Sequence, residues 1–481
     1  MRGVPAFFMD MSKNIIPADA RRIHLIAVCG TAMGALACML KDRGYEVTGS
    51  DQKIYPPMSR FLAERSIPIR EGFRAEHLAY RPDLVVVGNA VPRTNPEAVA
   101  CEHLGLPFCS MPQAINRFVG VGKRTLMVVG THGKTTTSAL LAWVLQAAGR
   151  DPSFVIGGIL RNFNSNYRLG DGDDVVIEGD EYDTAFFDKG PKFLHYVPAV
   201  TALTSIEFDH ADIYRDLEHV KSAFRRLVER LGAESLLVAH DRDERIDEVV
   251  AGTRAVLQRY GQRPGSDWRL GRIAVDPPWT SVEVLKQDRD FGRFRTRMIG
   301  THNLVNALAV MAVADHLGIS AAAAGEALES FEGIKRRQEV RGERRGIVVM
   351  DDFAHHPTAV RETIAAVRSG YPGRRLIAVF EPRTNSSMRK VFQPVYPQAF
   401  EGADVICIRR PSMLEKIPEG ERFSSEDLVT ELQRQGKTAG FFPDTDGIID
   451  FVVRTGRSGD VVLIMSNGGF DNIHERLLEL L

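Results

Sequence analysis

The chain has 481 residues, more than one hydrophobic core normally serves, so two or three domains are expected. Hydrophobic residues make up 44% of the sequence and charged residues 26%, which is typical of a globular protein and excludes a disordered or fibrous one. The formal net charge of -1 provides no bulk field to attract nucleic acid or membrane lipid, so neither is expected as a partner.

Signals for secretion or membrane insertion are weak. Asp10, Lys13 and Asn14 interrupt the apolar character of residues 1–22, which argues against a signal peptide. No stretch approaches the roughly 20 apolar residues that a membrane helix needs. The five cysteines form no C-x-x-C pair, so neither a disulfide framework nor a zinc site is predicted. These features predict a cytoplasmic protein with reduced thiols.

Residues 23–110 alternate short apolar runs with helix-length segments, with strands predicted near residues 23–28, 47–51 and 83–87. The pattern predicts an α/β, Rossmann-like domain over residues 1–121. A glycine turn follows the first strand, but only Gly30 matches the dinucleotide fingerprint G-x-G-x-x-G. The turn therefore indicates either a nucleotide diphosphate at a helix N-terminus, with Asp51 near a sugar hydroxyl, or plain packing.

A second α/β series begins near residue 123, and we assign residues 122–333 to a central, P-loop-like domain that binds ATP. Its first strand runs into a glycine loop and then a helix, the arrangement that binds phosphate. Lys134 adds a positive charge for the β- and γ-phosphates, and the Thr135 hydroxyl is placed for magnesium. The loop is a shortened variant, because Val128 stands where the first glycine would be. An ordinary turn with a surface lysine is the alternative.

The residues predicted to bind ATP in this loop are Gly130, Thr131, His132, Gly133, Lys134, Thr135 and Thr136. Downstream, Glu178 ends an apolar strand, and a carboxylate at that end of a parallel strand lies on the ligand side of the sheet. Glu178 is therefore predicted to bind Mg²⁺. His210 follows another strand in the same way and is predicted as a second metal ligand or a phosphate contact, with a structural hydrogen bond as the alternative.

Two basic or amide-rich segments follow. Residues 300–306 open a helix that places His302 and Asn306 on one face, where an amide can read an adenine edge. Helix capping by Thr301 or Asn303 is the alternative. Arg337 lies at a presumed hinge, where it could meet the γ-phosphate, although surface basic residues would look the same.

The third α/β series is assigned to a Rossmann-like domain over residues 334–481. Its first strand ends at Asp352, which is predicted to accept a hydrogen bond from a ribose. Adjacent His355 and His356 cannot easily serve one metal, so helix capping and ligand contact are predicted for them. Pro357 suits the first turn of the helix that follows.

In order and spacing, residues 130–137, 178–181, 207–210, 302–306, 335–337 and 351–357 resemble the Mur ligases, and the resemblance covers almost the whole chain. It implies an ATP- and Mg²⁺-dependent ligase that works through an acyl phosphate and accepts UDP-N-acetylmuramate. Lys134, Glu178, His210 and Arg337 would then be catalytic, and Thr135, Glu178 and His210 would hold the metal. Asn303 and Asp352 would join the ATP site.

The same resemblance implies a UDP-sugar site formed by Gly30, Thr31, Ala32, Met33, Gly34, Ser50, Asp51 and Asn89. It also implies that the third domain closes over the central loop, on ATP and on the amine substrate. Arg383, whose planar guanidinium suits a carboxylate, is predicted to bind a peptide substrate, together with Asn385 and His355. A monomer or weak dimer is expected.

Residues 154–158, 181–188, 352–357 and 381–386 are similar to the branch of the family that adds a recycled tripeptide, L-alanyl-γ-D-glutamyl-meso-diaminopimelate, to UDP-N-acetylmuramate. The branch that adds L-alanine is the alternative, and a folate polyglutamylating enzyme follows well behind. A non-catalytic nucleotide sensor is the alternative of another class. One departure concerns the carbamylated lysine of many Mur ligases: Arg225 occupies that region, and Lys221 lies one turn too early.

Overall fold

The computed structural model describes residues 9–54 and 56–481, so the prediction made for residues 1–22 falls partly outside the described residues. The chain divides into two compact units. Unit 1 contains Met1–Ile206, Lys221–Tyr260 and Ala309–Ala324, and unit 2 contains Glu207–Val220, Gly261–Leu308 and Gly325–Leu481. This division by packing does not follow the domain boundaries predicted at residues 121 and 333, which stay predictions.

The first sheet, in unit 1, is parallel. Its strands are β1 (Arg22–Ile26), β2 (Glu46–Asp51), β3 (Ile69–Glu71), β4 (Leu84–Val87) and β5 (Phe108–Ser110). Its helices are α1 (Thr31–Asp42), α2 (Met58–Glu64), α3 (Pro96–His103) and α4 (Met111–Ile115). The strand order β3-β2-β1-β4-β5 reverses direction at β1. The loops after β1 and β4 therefore meet at a topological switch point, where open α/β sheets bind ligands.

The second sheet of unit 1 carries the phosphate loop. Its strands are β6 (Arg124–Val129), β7 (Ser153–Leu160), β8 (Ser165–Arg168), β9 (Asp174–Glu178), β12 (Val200–Leu203), β13 (Leu236–His240) and β14 (Val256–Gly261), in the order β14-β13-β12-β6-β9-β7-β8. A separate hairpin joins β10 (Asp183–Ala185) to β11 (Asp188–Pro191). The helices are α5 (Lys134–Ala147), α6 (Leu217–Arg230) and α7 (Glu244–Val250). The central strand β6 lies between β12 and β9, and both neighbours run parallel to it.

Unit 2 contains an antiparallel meander that the composition did not predict. Its strands are β15 (Trp268–Asp276), β16 (Trp279–Lys286) and β17 (Arg289–Thr296). The predicted helical stretch that follows is two helices, α8 (Thr301–His316) and α9 (Ala321–Ser330). Among the residues that the structure describes, no helix is both long and apolar enough to cross a bilayer.

The last sheet, also in unit 2, has the order β18-β19-β23-β20-β21-β22. Its strands are β18 (Glu339–Arg344), β19 (Ile347–Asp352), β20 (Leu376–Phe380), β21 (Val405–Arg409), β22 (Thr438–Phe442) and β23 (Val461–Met465). Its helices are α10 (Pro357–Gly370), α11 (Tyr396–Ala399), α12 (Ser425–Arg434), α13 (Thr445–Thr455) and α14 (Ile473–Leu480). Alternate strand residues feed two buried clusters, so helices cover both faces of a doubly wound sheet. The predicted α/β class is confirmed.

A buried polar network stabilises the first sheet. The Glu97 carboxylate has no exposed surface and contacts His77 Nδ1 at 2.6 Å, His24 Nε2 at 3.4 Å and the Ser50 hydroxyl at 2.5 Å. Burial raises the pKa of Glu97, but the hydrogen bonds with His24, Ser50 and His77 outweigh burial, so this pKa lies below its ordinary value. The network therefore stabilises the charged carboxylate in the folded state.

We expect Glu97→Gln to lower the free energy of unfolding by about 3 kcal/mol at pH 7, because the amide keeps the shape but removes the buried charge. A carboxylate with a lowered pKa stabilises the fold above the unfolded pKa of about 4.3, and this stabilisation is lost as the pH falls. The difference between wild type and variant should thus shrink in acid. Urea unfolding measures it, and Glu76→Gln at an exposed position should change stability by less than about 0.5 kcal/mol. An equal effect of both variants contradicts the role of Glu97.

Candidate active site

Two glycines shape the predicted phosphate loop between β6 and α5. Gly130 has φ 131° and Gly133 has φ 82°, a conformation that side chains with a Cβ rarely adopt. A Cβ on Gly130 would also lie 2.7 Å from the main-chain nitrogen of Ser205 and 2.9 Å from its oxygen. Two hydrogen bonds attach the loop to Ser205. The Thr131 N–H donates to the Ser205 carbonyl at 2.9 Å, and the His132 N–H donates to the Ser205 hydroxyl at 2.8 Å. The start of α5 points main-chain N–H groups and the positive end of the helix dipole toward this loop, an arrangement that suits an anion.

Lys134 lies inside this loop rather than on the surface. Its ammonium donates to the Gly130 carbonyl at 2.6 Å and contacts both oxygens of Glu181, at 2.7 and 2.9 Å. Burial lowers the pKa of Lys134, but the negative charges of Glu181, Asp180 and Glu178 raise this pKa by more than burial lowers it. The net pKa is therefore above the ordinary value of a lysine. Lys134 is therefore a charged group placed among the loop carbonyls. The surface-lysine alternative is wrong.

Glu181 was not among the predicted site residues. Its carboxylate is 2% exposed and forms the counter-ion of Lys134. The sequence shows it within a run of acids, and most such runs are solvated. Its position three residues after a strand-end acid was the available signal.

The predicted magnesium ligands in unit 1 lie together. The Thr135 hydroxyl donates to Glu178 Oε1 at 2.8 Å, and the other oxygen of Glu178 accepts the Gly157 N–H at 2.6 Å. A hydroxyl and a carboxylate at the start of α5 are hard oxygen donors, which Mg²⁺ prefers. The donor set therefore fits Mg²⁺, and these two groups would hold it.

The first-sheet turn is held by Asp51, which ends β2. Its carboxylate accepts the Cys29 N–H at 2.8 Å, so Asp51 fixes the turn that precedes α1. Gly30 and Thr31 are exposed at the start of that helix, whereas Met33 and Gly34 are buried. A Cβ on Gly34 would lie 2.7 Å from Met58 Cε and 3.2 Å from the Val28 carbonyl. Among the UDP-sugar residues predicted in this turn, Gly30 and Thr31 therefore face solvent. Ala32 is half-buried, and Met33 and Gly34 pack beneath the turn.

Ser50 and Asn89 differ in placement. Ser50 was predicted to contact the UDP sugar, but its hydroxyl is buried and donates to Glu97, so its side chain faces the interior. Asn89 is exposed, two residues after β4, on the other side of the switch point from α1. The geometry therefore supports a role for Asn89 in ligand contact and does not support one for the Ser50 hydroxyl.

In unit 2, a cluster of titratable groups surrounds Asp209. His355 Nε2 lies 4.0 Å from the Asp209 carboxylate, and the His356 ring lies 3.8 Å from Glu207. Burial raises the pKa of Asp209, but the neighbouring histidines, His210 first, lower it far more, so the carboxyl is ionised. His210 has φ 54°, and its N–H donates to Asp209 Oδ1 at 2.7 Å. The prediction that His210 holds metal or phosphate stays a prediction.

The two adjacent histidines have separate structural tasks. His356 is the N-cap of α10, and its Nδ1 accepts the Thr358 N–H at 3.2 Å, which confirms the predicted capping. Pro357 occupies the first helical position, as predicted. The His355 ring stacks edge-on against Phe353 with centroids 5.7 Å apart, and it is one-fifth exposed. Only His355 therefore keeps a face for the predicted peptide contact.

The predicted hinge has an unusual backbone. Gly333, Arg336 and Gln338 all have positive φ, at 85°, 64° and 49°. Arg337 lies over the Phe353 ring at 4.7 Å, a cation–π contact that orients its guanidinium. Backbone in this conformation is common at active sites and ligand-binding loops, so it supports the prediction that Arg337 lies in the active site.

Asp352 is not free to accept from a ribose. It is 4% exposed, and its two oxygens accept the Gln338 N–H at 2.8 Å and the Ala354 N–H at 2.7 Å. Burial raises its pKa, and Arg337 and the two N–H groups lower it less, so the pKa is above the ordinary value. Asp352 thus organises the main chain at Gln338, in the predicted hinge, and the loop after β19, and its predicted ribose contact has no geometric support.

The predicted adenine-reading residues begin α8. Asn303 donates to the Ile299 carbonyl at 2.9 Å and to Gln338 Oε1 at 3.1 Å, so the amide ties the helix start to the hinge. His302 Nδ1 lies 3.9 Å from Glu362, and its side chain is 26% exposed. Asn306 is 7% exposed, on the next turn. The partly exposed His302 ring is therefore the group of this set that faces solvent.

The region of the missing carbamylated lysine contains an ion pair. Lys221 is 5% exposed, and its ammonium bonds to Glu248 on α7, which Arg225 also contacts at 3.6 Å. Carbamylation requires a neutral amine, and a carboxylate partner favours the charged form. The geometry therefore gives no support to Lys221 as a substitute for the family lysine.

Three family profiles match the chain in succession. The profile for the Mur ligase family, catalytic domain, matches residues 22–121, the Mur ligase middle domain matches residues 128–314, and the Mur ligase glutamate ligase domain matches residues 336–468.

Similar proteins cover nearly the whole chain. The UDP-N-acetylmuramate–L-alanyl-γ-D-glutamyl-meso-2,6-diaminoheptandioate ligase of Escherichia coli K12 is 39% identical over 95% of this chain and 98% of its own. The UDP-N-acetylmuramate–L-alanine ligase of Desulforapulum autotrophicum is 32% identical over 95% and 98%. The crystal structure of a murein peptide ligase from Psychrobacter arcticus has a TM-score of 0.70 and 34% identity, over 95% of this chain and 98% of that one.

We expect Gly130→Ala to weaken ATP binding at least about tenfold, because the added methyl group would push the loop away from Ser205 and misdirect its N–H groups. Gly149→Ala is the matched control. Gly149 also has positive φ, at 75°, but nothing lies within 4 Å of its Cβ position. Isothermal titration with ATP should give a wild-type dissociation constant for the control only. Equal weakening in both variants contradicts the assignment of the loop.

Proposed function

Because the chain belongs to the Mur ligase family, we propose that it uses ATP to join L-alanyl-γ-D-glutamyl-meso-diaminopimelate to the carboxylate of UDP-N-acetylmuramate. The chain is then an amide-bond-forming ligase that acts in murein recycling. The observation that carries this proposal is its full-length similarity, at 39% and 37% identity, to two ligases named for these substrates. A cytoplasmic location, Mg²⁺ dependence and a monomer or weak dimer are part of the proposal.

The reaction has two balanced steps. A carboxylate oxygen of the muramate attacks the γ-phosphorus of ATP, and ADP leaves to give an acyl phosphate. The α-amino nitrogen of the peptide then attacks the acyl carbon, inorganic phosphate leaves, and the amine loses a proton. Both steps move negative charge, so fixed positive groups and N–H dipoles supply most of the catalysis by position and electrostatics.

The phosphate loop supports the first step. In the free chain the charge of Lys134 is balanced by Glu181, within reach of the loop carbonyls and the start of α5. We assign Lys134 to the β- and γ-phosphates, where its ammonium offsets charge on the transferring group. Mg²⁺ held by Thr135 and Glu178 would neutralise phosphate oxygens and orient them. His210 and Arg337 remain proposed catalytic groups in unit 2.

The first sheet supports the proposed nucleotide-sugar site. The exposed start of α1 presents N–H groups and the positive end of a helix dipole, which suit a diphosphate. Asn89 lies across the switch point and offers an amide for the sugar or base. Asp51 acts on this site through the main chain of Cys29.

The function is tested by phosphate release from ATP, with UDP-N-acetylmuramate and either the tripeptide or L-alanine as the amine. We expect turnover with the tripeptide, and a product whose mass equals the two substrates less one water. Turnover with L-alanine alone overturns the peptide assignment and favours the second branch, whose members are also similar at 32% identity. Absence of turnover with both, despite ATP binding, favours the non-catalytic sensor.

Arg383→Ala should raise the KM for the tripeptide about tenfold or more and leave the KM for ATP within about twofold, because a guanidinium paired with a carboxylate contributes about 1.5–3 kcal/mol. Arg434→Ala is a control at an exposed arginine on α12, whose side chain is 77% exposed. Steady-state kinetics with each substrate varied in turn give the three KM values. An unchanged peptide KM removes Arg383 from the peptide site.

A further inference from the structure

Arg383 has a fixed main chain, and its guanidinium forms an ion pair with Glu381. Its N–H donates to the Ser387 hydroxyl at 3.0 Å, and the next N–H, of Thr384, donates to the same hydroxyl at 2.9 Å. Its side chain is 32% exposed and lies 3.8 Å from Glu381. Among the described residues, 9–54 and 56–481, no hydrogen bond from this guanidinium is found. Five N–H donors are thus available to a ligand.

The Arg383 side chain lies directly on Gly468, in the loop after β23. A Cβ on Gly468 would lie 2.5 Å from Arg383 Cζ, a distance that real Cβ atoms do not show. Gly468 is held in place, because its N–H donates to the Ser466 hydroxyl at 2.9 Å and its carbonyl accepts from Arg336 at 2.6 Å. Its φ lies outside the left-handed region, so the backbone itself does not require glycine. Glycine at position 468 therefore leaves room for the Arg383 side chain where it lies.

Glu381 is the carboxylate that pairs with the Arg383 guanidinium, at 3.8 Å. Its carboxylate has no exposed surface, accepts from the Ser466 hydroxyl at 2.7 Å and bonds to Arg409. Glu381 and Arg383 are two residues apart after β20, a spacing that puts extended side chains on one face. Arg409 shares its charge between Glu381 and Asp471, which lies 2.7 Å away, so Glu381 keeps charge to attract Arg383 across 3.8 Å.

We propose that Gly468 and Glu381 are positioning residues that hold the Arg383 guanidinium open as a preformed receptor for a carboxylate of the peptide substrate. This rests on the proposed function, which supplies a peptide with several carboxylates. A planar fork that is already oriented loses little side-chain entropy on binding, and this raises affinity without a new contact. Gly468 contributes the space that a side chain would otherwise fill, and Glu381 contributes the negative charge that attracts the guanidinium.

Gly468→Ala tests the proposal, with Gly469→Ala as the matched control. Gly469 is the next residue, has φ -77°, and nothing lies within 4 Å of its Cβ position. We expect Gly468→Ala to raise the tripeptide KM roughly tenfold to a hundredfold, with kcat and the KM values for ATP and UDP-N-acetylmuramate within about twofold. The control should keep wild-type constants.

A double-mutant cycle shows whether Gly468 acts through Arg383. In the Arg383→Ala background, Gly468→Ala should add no further rise in the tripeptide KM, because the group that it displaces is gone. Additive effects, or a loss of kcat shared with Gly469→Ala, overturn the proposal. If Gly468→Ala does not fold in thermal unfolding, Glu381→Gln decides: it should raise the peptide KM selectively, and an unchanged KM overturns the role of Glu381.

The outcomes separate this proposal from the proposed function. If the wild-type chain does not ligate the tripeptide, the proposed function fails. If the wild type ligates it and Gly468→Ala has wild-type kinetics, only the positioning role fails.

Discussion

A buried ammonium group needs a counter-ion, and this requirement governs the phosphate loop. Lys134 is enclosed by the carbonyls of its own loop, and Glu181 supplies the balancing charge. The pair keeps the Lys134 ammonium charged before a ligand binds. A phosphate group would offer Lys134 a second anion in place of part of that pairing, so binding exchanges one charge-assisted contact for another. Such an exchange costs less than bringing an unpaired charge into a dry site.

Parallel strand pairing explains why sequence-distant loops meet. In unit 1, β9 and β12 flank β6 and run parallel to it. Glu178 and the segment at Thr204 and Ser205 therefore lie beside the loop after β6, at the carboxyl ends of these strands. In the last sheet of unit 2, β23 lies between β19 and β20, and Gly468 reaches Arg383 although 85 residues separate them. Strand order therefore decides which side chains become neighbours, and no local sequence pattern contains it.

What the sequence could predict follows from this distinction. The phosphate loop, the strand-end position of Glu178 and the cap before Pro357 depend on local chemistry, and the structure has them as expected. The meander β15–β17 was not predicted, because its glycine, proline and charged residues mask the alternation of its strands. Ser50 and Asp352 lie at predicted strand ends, yet their side chains turn to Glu97 and to main-chain N–H groups, partners that spacing does not reveal.

The geometry does not support a ligand contact for Asp352, but Asp352 can still influence Arg337, a residue proposed to contact phosphate. Asp352 accepts the Gln338 N–H, and Gln338 Oε1 accepts from Asn303 at the start of α8. The left-handed Gln338 is therefore held from both sides, and Arg337 directly before it lies on Phe353. These contacts hold the left-handed residue that follows Arg337 and help to set where its guanidinium lies. Asp352, the last residue of β19, therefore acts on Arg337 through the main chain of Gln338, and its burial allows it to do so.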